Sequence, residues 1–345
     1  MNILVTGGAG YIGSHAAQHL VNAGHKVVVV DNLGRGHAAA IERLQASLGD
    51  EAKRLVFVEG DTADRHQMTS IIAGHGIEAV MHFAALAYVG ESVTDPLRYH
   101  QNNTSAAISL LQACDDVGVQ RFVFSSTCAT YGEPEAVPIV ETEKQSPINP
   151  YGWSKLHVER VLKDYAEGRR LAGKPFAYAA LRYFNVAGAD RTGVLGEWHK
   201  PESHLIPLVI FAAMGKRDEI TVFGTDYDTP DGTCIRDYVH VEDLVAAHAL
   251  VLEKLEPGAH DERYYNVGIG KGYSVREVID SARDVTGRDI RVVEGDRRAG
   301  DPPMLFADPT RIQTELGWSA QITDLREIIG SAWRWYDANP NGYDD

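Results

Sequence analysis

The chain opens with a short apolar run followed by regularly spaced glycines, and no other stretch restricts the possible folds as much. Residues 3–5 are Ile, Leu and Val, which predict a strand buried on both faces of a sheet. Gly7, Gly10 and Gly13 follow at intervals of three. In such a loop the first glycine permits a sharp turn, the second leaves room for a pyrophosphate, and the third lets a helix pack closely on the sheet. The N-terminus of that helix offers N–H groups to phosphates. The pattern predicts a dinucleotide-binding unit rather than an ordinary glycine-rich turn.

An acidic residue further along strengthens this prediction. Residues 27–30 form a second apolar run, and Asp31 follows it directly. A carboxylate at the end of that second strand can accept hydrogen bonds from a ribose diol, and it repels a 2′-phosphate. We therefore expect NAD rather than NADP as the cofactor.

Further apolar runs alternate with helical patterns along the first half of the chain. The predicted strands lie at 55–58, 79–83, 121–126 and 176–183, and predicted helices lie at 64–74 and 96–117. This alternation is typical of an α/β fold with a Rossmann-type, doubly wound parallel sheet. We expect residues 1–185 to form the NAD-binding domain and 186–345 to form a smaller α/β substrate lobe. A strand at 235–240 and a helix at 241–252 are expected to return to the first domain.

Several of the predicted strands end in residues suited to ligand binding. Asp31, Asp61, Phe83 and Thr127 each follow such a strand. In doubly wound sheets the ligand lies at the carboxyl ends of the strands, so we expect these four side chains to line one crevice. Asp61 is expected near the adenine end of the cofactor.

A tyrosine and a lysine four residues apart supply candidate catalytic groups. Asn149 is a typical N-cap and Pro150 a typical first helical residue, so Tyr151 falls in the first turn of a helix. It shares a face of that helix with Lys155. Lowering the pKa of a tyrosine from ~10 to neutrality requires ~4 kcal/mol, and a lysine ammonium ~4 Å away supplies this at an effective dielectric constant of ~20. With the Thr127 hydroxyl, the pair can take a proton from an alcohol while NAD⁺ accepts the hydride.

Composition and residue spacing disfavour several classes of partner. The 345 residues carry a net charge of −15, which argues against nucleic acid and anionic membranes. The three cysteines are scattered and odd in number, as is typical of reduced thiols in a cytoplasmic protein. A strand beginning at residue 2 leaves no room for a signal peptide, and no apolar run approaches the length of a membrane span. His15 and His19 lack the glutamate of an HExxH motif, so we expect no metal site.

Short motifs extend from one end of the chain to the other. They are Gly7-x-x-Gly10-x-x-Gly13, Asp31-Asn32-Leu33, Phe83-Ala84, Val89-Gly90-Glu91-Ser92, Tyr151-x-x-x-Lys155, Leu181-Arg182-Tyr183-Phe184-Asn185, Gly232-Thr233-x-x-Arg236-Asp237-Tyr238 and Arg297-Arg298-x-Gly300-Asp301. Together they resemble the motifs of the UDP-glucose 4-epimerases, within the extended short-chain dehydrogenase/reductase family. The resemblance implies an NAD molecule that stays bound and a UDP-sugar held in the cleft between the lobes.

The resemblance also implies which residues contact each ligand. For NAD they are Gly7, Gly10, Tyr11, Ile12, Gly13, Asp31, Asn32, Asp61, Thr62, Phe83, Ala84, Ala85, Asn102, Tyr151, Lys155 and Phe184. For the UDP-sugar they are Thr127, Tyr151, Asn185, His204, Leu205, Val222, Phe223, Arg236, Tyr238, Arg298, Asp301 and Leu305. Among these, Arg236 and Arg298 are expected on the diphosphate and Asp301 on the uridine ribose. Guanidinium forks suit a diphosphate well.

The reaction that the resemblance implies is 4-epimerisation through a transient 4-keto sugar, which rotates before the hydride returns to its other face. Related 4,6-dehydratases and decarboxylating enzymes use a carboxylate in the loop after the fifth strand. Here Thr127 is followed by Cys128 and Ala129, which favours epimerisation. An enzyme that oxidises a nucleotide-sugar with exchangeable NAD is a rival interpretation. A non-catalytic NAD-binding module is another, although such modules typically lose the tyrosine or the lysine.

The identity of the sugar stays open at this point. UDP-glucose and UDP-galactose are the first candidates, followed by UDP-xylose and UDP-arabinose and by the UDP-N-acetylhexosamines. Leu305 stands where a bulky aromatic residue excludes a C2 N-acetyl group and a small residue admits it, so a leucine decides neither way. Ala87 replaces a lysine common near the cofactor, and His204 replaces an asparagine that often touches the nucleotide.

Two predicted helices carry more apolar residues than one inward-facing stripe needs. The residues are Leu97, Ala106, Leu110, Leu111 and Val117 at 96–117, and Trp153, Leu156, Val158, Val161 and Leu162 at 151–166. The family pairs these helices across a two-fold axis in a four-helix bundle. We therefore expect a homodimer.

Overall fold

The computed structural model describes residues 1–298 and 301–344, so Gly300 of the last motif lies outside the described residues. The strands are β1 (Asn2–Thr6), β2 (Lys26–Asp31), β3 (Leu55–Glu59), β4 (Ala79–His82), β5 (Arg121–Ser125), β6 (Ala177–Tyr183), β7 (Asn185–Ala187), β8 (Ile220–Phe223), β9 (Ile235–Arg236), β10 (Tyr238–His240), β11 (Glu262–Val267), β12 (Tyr273–Ser274), β13 (Val292–Gly295) and β14 (Met304–Leu305). The helices are α1 (Tyr11–Asn22), α2 (Ala38–Leu48), α3 (Arg65–His75), α4 (Val89–Thr94), α5 (Pro96–Tyr99), α6 (Ala106–Val117), α7 (Pro150–Leu171), α8 (Leu205–Ala213), α9 (Val241–Lys254), α10 (Val275–Thr286), α11 (Thr310–Leu316) and α12 (Leu325–Ala338).

Within the described residues, seven strands form one sheet in the order β11-β6-β5-β4-β1-β2-β3. The pairs from β6 to β3 are parallel, and Leu4 of β1 lies beside Val28 of β2 and Val80 of β4. The chain runs outward from β1 through β2 to β3 and then returns to β4 on the other side of β1. Ligands bind where the strand order reverses in this way. The predicted Rossmann-type, doubly wound sheet is confirmed.

Both faces of this sheet are covered. Leu4 and Phe122 lie on one face and belong to a core cluster that includes apolar side chains of α3, α6 and α7. Ile3 and Val5 lie on the opposite face, because side chains alternate along a strand, and they are equally buried. Burial on both sides explains why the strands read as continuous apolar runs rather than as alternating patterns.

Local capping signals start the helices close to the predicted positions. Asp95 accepts a hydrogen bond from the backbone N of Arg98 and caps α5, with Pro96 at its first position. Ser274 and Glu277 form a capping box at the start of α10. The helix predicted at 96–117 is observed as α5, a π-helical segment at His100–Ser105, and α6.

The strand predicted at 235–240 does not return to the large sheet, and this prediction was wrong. The segment is divided into β9, which lies between β12 and β14, and β10, which pairs in parallel with β7. The sheet edge next to β6 is occupied by β11 instead. The apolar pattern at 235–240 indicated a strand but contained no information about its partner. The helix predicted to follow it is observed as α9.

The chain divides into two compact units. The first comprises Met1–Gly132, Lys144–Arg182 and Val245–Tyr265, and the second comprises Glu133–Glu143, Tyr183–Leu244 and Asn266–Asp345. The change at 182–183 lies close to the predicted boundary. The chain rejoins the first unit at Val245, later than the expected return at 235. The second unit also contains Glu133–Glu143, which lies within the range expected for the first domain.

The second unit combines small sheets with a group of packed helices. β8 pairs in parallel with β13, and α10 packs on both α8 and α12. Trp335 and Tyr336 of α12 are almost completely buried, whereas Trp333 is only partly buried. In the part of the chain that the structure describes, no helix has both the length and the apolar character needed to cross a bilayer.

Candidate active site

The glycine loop of the first unit leaves no room for side chains at two of its glycines. Gly7 has a φ of +69°, and a Cβ there would lie 2.5 Å from the backbone N of Ala84. A Cβ on Gly13 would lie 2.2 Å from the carbonyl oxygen of Gly7. The fold itself therefore requires both glycines, the first for the turn after β1 and the second for the close approach of α1.

Gly10 is under a weaker internal constraint. Among the described residues, a Cβ on Gly10 would come within 4 Å of one atom, the carbonyl oxygen of Gly7, at 3.2 Å. Gly10 is also the N-cap of α1, which has no side-chain cap. The first N–H groups of a helix have no partner within the helix, and its dipole is positive at that end. A phosphate therefore fits beside Gly10, next to the predicted cofactor residues Tyr11 and Ile12.

The carboxylate of Asp31 is held by the glycine loop. Its Oδ2 accepts a hydrogen bond from the backbone N of Ala9 at 3.0 Å, and its Oδ1 accepts one from the backbone N of Leu33 at 2.8 Å. Burial raises the pKa of Asp31, and these two donors oppose that rise. Each carboxylate oxygen retains a further lone pair, so Asp31 can also accept from a ribose hydroxyl. The loop and this carboxylate thus fit NAD.

Two predicted cofactor residues from neighbouring strand ends are in direct contact. Asn32 Nδ2 donates a hydrogen bond to Asp61 Oδ2 at 3.0 Å, and Asp61 Oδ1 accepts one from the backbone N of Ala63 at 2.8 Å. Thr62, which lies between Asp61 and Ala63 in the chain, is buried. These predicted cofactor residues therefore form one group at the ends of β2 and β3.

The loop that follows β4 is organised by an asparagine that sequence reasoning missed. Asn103 is buried, accepts a hydrogen bond from Leu86 N at 2.8 Å, and donates to Leu86 O and Ser154 Oγ, each at 2.9 Å. Its neighbour Asn102, which was the predicted residue, donates to Asn103 Oδ1 at 3.0 Å. Asn103 thus connects the loop containing 83–86 to α7. An asparagine inside a predicted helix was the available signal, because such a residue needs a side-chain partner there.

Tyr151 lies in the first turn of α7, as predicted. Asn149 caps this helix, with its Oδ1 accepting a hydrogen bond from Gly152 N at 2.8 Å. Tyr151 and Lys155 are both buried, one turn apart on the same face. The ring of Tyr151 lies edge-on to that of Tyr99, with centroids 6.5 Å apart.

Lys155 reaches the carboxyl end of β5, where Thr127 also lies. Its Nζ donates a hydrogen bond to the carbonyl oxygen of Ser125 at 2.8 Å and lies 4.9 Å from the ring centroid of Phe124. Thr127 follows two residues after Ser125 and is buried, and its Oγ1 accepts a hydrogen bond from Ala129 N at 3.1 Å. A hydroxyl that accepts in this way can still donate its hydrogen to a ligand oxygen.

The charge of Lys155 is smaller than the sequence argument assumed. Burial lowers the pKa of Lys155 to about 7, so the ammonium and the neutral amine coexist near neutral pH in the protein without ligands. The nearby His82 adds no charge, because burial lowers its pKa to about 3. Its Nδ1 lies 2.7 Å from Thr6 Oγ1. In the protein without ligands, Lys155 is therefore only partly protonated near neutral pH.

A buried ion pair supports α7 one turn beyond Lys155. Glu159 accepts hydrogen bonds from Arg182 Nη2 at 2.7 Å and Nε at 3.0 Å. Ser126 Oγ donates to Glu159 Oε1 at 2.5 Å, and Arg182 Nη1 donates to the Tyr131 hydroxyl at 3.0 Å. Arg182 belonged to a recognised motif, but Glu159 had no assigned role. Its spacing of four from Lys155 was the signal that could have found it.

In the second unit, two short strands bring three predicted substrate residues together. Arg236 of β9 and Leu305 of β14 are partners in register. The guanidinium of Arg236 forms an ion pair with Asp301, and its Nη1 donates a hydrogen bond to the carbonyl oxygen of Ile235 at 2.8 Å. Both side chains keep donors or acceptors that this ion pair does not use, so each can also contact a ligand.

Arg298 is positioned by an aromatic ring. Its guanidinium carbon lies 4.0 Å from the ring centroid of Phe223, and that of the neighbouring Arg297 lies 4.3 Å from the ring of Tyr227. Stacking on a ring holds a guanidinium while its N–H groups stay in plane for hydrogen bonds. Val222, another predicted contact, precedes Phe223 on β8 and is buried.

Asn185 and Tyr238 are also brought together, as register partners of β7 and β10. Phe184, which is buried, immediately precedes Asn185. Asp237, to which no role was assigned, is buried between β9 and β10. Burial raises its pKa to about 6, and it accepts hydrogen bonds from three backbone N–H groups, those of Ile269, Gly270 and Ala307.

His204 belongs to a different group of side chains. Its Nδ1 lies 3.0 Å from Glu197 Oε1 and 3.0 Å from Glu202 Oε1, and its ring centroid lies 5.2 Å from that of His199. Its Nδ1 is therefore directed to these two carboxylates. Leu205, the next predicted contact, is the first residue of α8.

Comparison with known proteins places this geometry in a family. A model of the NAD-dependent epimerase/dehydratase family matches residues 3–268. Probable UDP-arabinose 4-epimerase 3 from Oryza sativa subsp. japonica is 48% identical over 346 residues, which is 99% of this chain and 84% of that protein. UDP-glucose 4-epimerase from Lacticaseibacillus casei is 44% identical over 347 residues, which is 100% of this chain and 99% of that protein.

A solved structure agrees with these relatives. The crystal structure of UDP-glucose-4-epimerase from Stenotrophomonas maltophila, with bound NAD and formylated UDP-arabinopyranose, superposes with a TM-score of 0.92 at 42% identity and covers 99% of both chains. The region that the family model matches contains the glycine loop, Asp31 and the Tyr151–Lys155 pair. The chain therefore belongs to the NAD-dependent epimerase/dehydratase family, with NAD as its cofactor.

Proposed function

We propose that the protein catalyses the NAD-dependent 4-epimerisation of a UDP-sugar, with UDP-glucose and UDP-galactose as the first pair of substrates. The observation that carries this proposal is the placement of Lys155, which is anchored on the carbonyl oxygen of Ser125 one helical turn after Tyr151. This contact supports a rigid proton-transfer pair at the carboxyl end of β5. The names of the Lacticaseibacillus casei relative and the Stenotrophomonas maltophila structure support the same activity.

The proposed roles at the reacting carbon follow from the positions of three side chains. Tyr151 takes the proton of the C4 hydroxyl and returns it after the hydride step. Thr127 donates its hydroxyl hydrogen to the same oxygen and orients it. Lys155 supplies positive charge in its protonated form and a hydrogen bond to the nicotinamide ribose. When bound, NAD supplies the hydride acceptor for C4, and the glycine loop and Asp31 hold its pyrophosphate and adenosine ribose.

The proposed nucleotide contacts lie in the second unit. Arg236 and Arg298 bind the diphosphate, Asp301 binds the uridine ribose, and Asn185 lies near the diphosphate and the sugar. The stacking of Arg298 on Phe223 supports this role, because it holds the guanidinium in one plane. In a chain with a net charge of −15, a diphosphate needs such a local concentration of positive charge.

UDP-arabinose, interconverted with UDP-xylose, is the second candidate substrate. It is favoured by the rice relative, a probable UDP-arabinose 4-epimerase, and by the arabinopyranose ligand of the Stenotrophomonas maltophila structure. The two candidates differ at C5, where the pentose lacks a hydroxymethyl group. UDP-N-acetylhexosamines remain third, since Leu305 is neither large and aromatic nor small.

The test is a substrate comparison with the purified protein and no added cofactor. UDP-galactose, UDP-arabinopyranose and UDP-N-acetylgalactosamine are incubated separately, and the C4 epimers are followed by proton NMR. Conversion of UDP-galactose to an equilibrium mixture is the expected result, and the relative rates rank the sugars. If none of the three is converted even with NAD supplied, the epimerase proposal is wrong. Net accumulation of NADH would instead support the rival oxidation.

A homodimer is a further part of this proposal, but the surface that supports it is smaller than the sequence suggested. Most of the apolar residues counted on the two helices, such as Leu110 and Leu162, are buried inside the first unit. Leu97 and Trp153, in contrast, are 80% and 42% exposed, and Ile108 is also partly exposed. A monomer mass by light scattering at micromolar concentration would contradict the dimer.

A cytoplasmic location also belongs to this proposal. None of the three cysteines, all of which lie in the described residues, is disulfide-bonded, and two of them are buried. This is consistent with a reducing compartment. Fractionation of the native host, followed by immunodetection, tests the location directly.

A further inference from the structure

Two glutamates and two histidines converge in the second unit, immediately before α8. They are Glu197, His199, Glu202 and His204, which follow one another within eight residues. One ligand-capable atom from each residue lies within 4.8 Å of the corresponding atoms of the others. From the sequence, only His15 and His19 of α1 were weighed as metal ligands, and they were rejected. The Glu-x-His-x-x-Glu-x-His spacing was overlooked.

The distances between these atoms are short enough for one metal ion to contact all four residues. His204 Nδ1 lies 3.0 Å from Glu197 Oε1 and 3.0 Å from Glu202 Oε1. His199 Nδ1 lies 3.2 Å from Glu197 Oε1 and 3.4 Å from Glu202 Oε2. Ligands at about 2.0–2.1 Å from a tetrahedral ion are about 3.3 Å apart. The distances from the two histidines to Glu197 Oε1 lie within ~0.3 Å of such an edge, whereas Glu202 faces the two histidines with different oxygens.

The two carboxylates are withdrawn from water. The side chains of Glu202 and Glu197 are 3% and 5% exposed. Glu202 Oε1 accepts hydrogen bonds from the backbone N of Ser203 at 2.7 Å and from His204 N at 2.8 Å. Its other oxygen, Oε2, is buried and accepts no hydrogen bond from any residue that the structure describes. Its ion pair with His199 Nδ1, at 3.4 Å, lacks hydrogen-bond geometry, and a cation bound in the cluster would interact with this oxygen directly.

The segment that carries the cluster is fixed by the C-terminal part of the same unit. The backbone N of Gly196 donates a hydrogen bond to the Tyr343 hydroxyl at 2.9 Å. The ring of Trp198, between the first glutamate and histidine, lies 5.8 Å from that of Phe211 and 6.1 Å from that of Tyr336. The four side chains therefore project from a backbone that is already positioned, which lowers the entropy lost on binding an ion.

We propose that Glu197, His199, Glu202 and His204 form a binding site for one divalent transition-metal ion, and that Zn²⁺ fits it best. Two imidazoles and two carboxylates are donors that Zn²⁺ accepts in tetrahedral geometry. Calcium and magnesium prefer all-oxygen sites with more ligands. The two glutamate charges balance the charge of the ion when both histidines are neutral.

Four protein ligands close the coordination sphere, so the role of this ion is structural. It fixes the segment that leads into α8 and takes no part in proton or hydride transfer. The proposal does not rest on the proposed function, because the site is defined by its own four residues, of which one, His204, is also an expected UDP-sugar contact.

The first test is the metal content of the wild-type protein. After growth with added zinc and purification without chelators, elemental analysis should find about one zinc ion per chain. Removal of the ion with a chelator should lower the melting temperature, and adding back Zn²⁺ should restore it. Co²⁺ added to the metal-free protein should give the intense visible absorption of a tetrahedral ion rather than the weak absorption of an octahedral one.

Substitutions then locate the site. His199→Gln and Glu202→Gln should each reduce the bound zinc to background and abolish the zinc-dependent rise in melting temperature. Glu253→Gln is the matched control, because that carboxylate also lies near a histidine, 3.6 Å from His25 Nε2, but outside the cluster. The control should keep its zinc.

Two results would overturn the proposal. If the wild-type protein holds no zinc and neither Zn²⁺ nor a chelator changes its melting temperature, the four side chains form only an ion-pair network. If both cluster variants fold and retain one zinc per chain, the ion is bound elsewhere. If a variant fails to fold, the wild-type metal content and the Co²⁺ spectrum still decide the question. These measurements do not use turnover, so failure of the epimerase proposal would leave them unaffected.

Discussion

Lys155 donates a hydrogen bond from Nζ to the carbonyl oxygen of Ser125 at 2.8 Å, and this contact joins the turn of α7 that begins at Tyr151 to the end of β5. A carbonyl oxygen offers a partial charge rather than a full negative charge. It therefore offsets only part of the cost of burying an ammonium, which is why burial lowers the pKa of Lys155 to about 7.

This lowered pKa makes the stability of the NAD-free protein depend on pH. Between about pH 7 and 10.5, the unfolded chain keeps a proton on Lys155 that the folded chain releases. The free energy of unfolding therefore rises with pH in that window, by at most about 1.4 kcal/mol per pH unit from this group, and the gain is lost below pH 7. Lys155→Met removes the titration, so any stability advantage of the variant at pH 7 should shrink toward pH 9.5.

Urea unfolding of both NAD-free proteins from pH 6 to 9.5 measures this effect. The readout is the difference in the free energy of unfolding between wild type and Lys155→Met, because it cancels the other titrating groups. A difference that stays constant across the range would show that Lys155 keeps an ordinary pKa.

Tyr151→Phe removes the proposed proton acceptor while keeping the ring packed against Tyr99. We expect kcat for UDP-galactose to fall by about 10²–10⁴, with bound NAD retained. The control is Tyr165→Phe on the same helix, whose hydroxyl contacts Asp115 at 3.2 Å. Coupled turnover assays and the NAD content of both variants supply the measurement. Unchanged turnover in Tyr151→Phe would remove this tyrosine from the mechanism.

Gly10→Ala places a methyl group where the proposed pyrophosphate approaches the backbone. The protein alone should tolerate it with little loss of stability, because the added Cβ would meet only the carbonyl oxygen of Gly7, at 3.2 Å, among the described residues. Bound NAD, measured after denaturation of the purified protein, should drop well below that of wild type. Gly74→Ala on α3, where a Cβ meets nothing within 4 Å, should keep its NAD. Full NAD occupancy in Gly10→Ala would contradict the assigned phosphate position.

Glu159→Gln leaves the guanidinium of Arg182 buried without its counter-charge. Breaking a buried pair in this way costs about 3–5 kcal/mol, so the urea midpoint should fall clearly. Glu167→Gln, which disrupts an exposed pair with Arg170 on the same helix, should leave the midpoint nearly unchanged. Similar midpoints for the two variants would show that the Glu159–Arg182 pair contributes little to α7.

Arg236→Lys keeps the positive charge but loses the planar fork that suits a diphosphate. We expect UDP binding, measured by calorimetry, to weaken by about tenfold or more, since a charge-assisted hydrogen bond contributes about 1.5–3 kcal/mol. Arg276→Lys, in an exposed pair with Glu294, is the matched control and should bind UDP like wild type. Equal affinities in the two variants would place the diphosphate away from Arg236.

The sequence by itself was sufficient for features that depend on neighbouring residues. The apolar runs marked six of the seven strands of the large sheet, because the inner strands are buried on both faces and need apolar residues there, although Val56 of the edge strand β3 is exposed. Asn149, Asp95 and Ser274 marked helix starts, because an N-cap satisfies backbone groups within three residues of itself. The glycine loop indicated the cofactor and the Tyr151–Lys155 spacing indicated the candidate catalytic pair, because both patterns lie within a few residues of the chain.

Only the tertiary structure decided which distant residues meet. The edge strand of the large sheet is β11 rather than 235–240, and the partners Arg236 and Asp301 are 65 residues apart. The incomplete protonation of Lys155 near neutral pH likewise depends on burial by residues remote in the sequence. Strand partners, ion pairs and desolvation are long-range effects that leave no periodic pattern along the chain, so they appear only when the chain is folded.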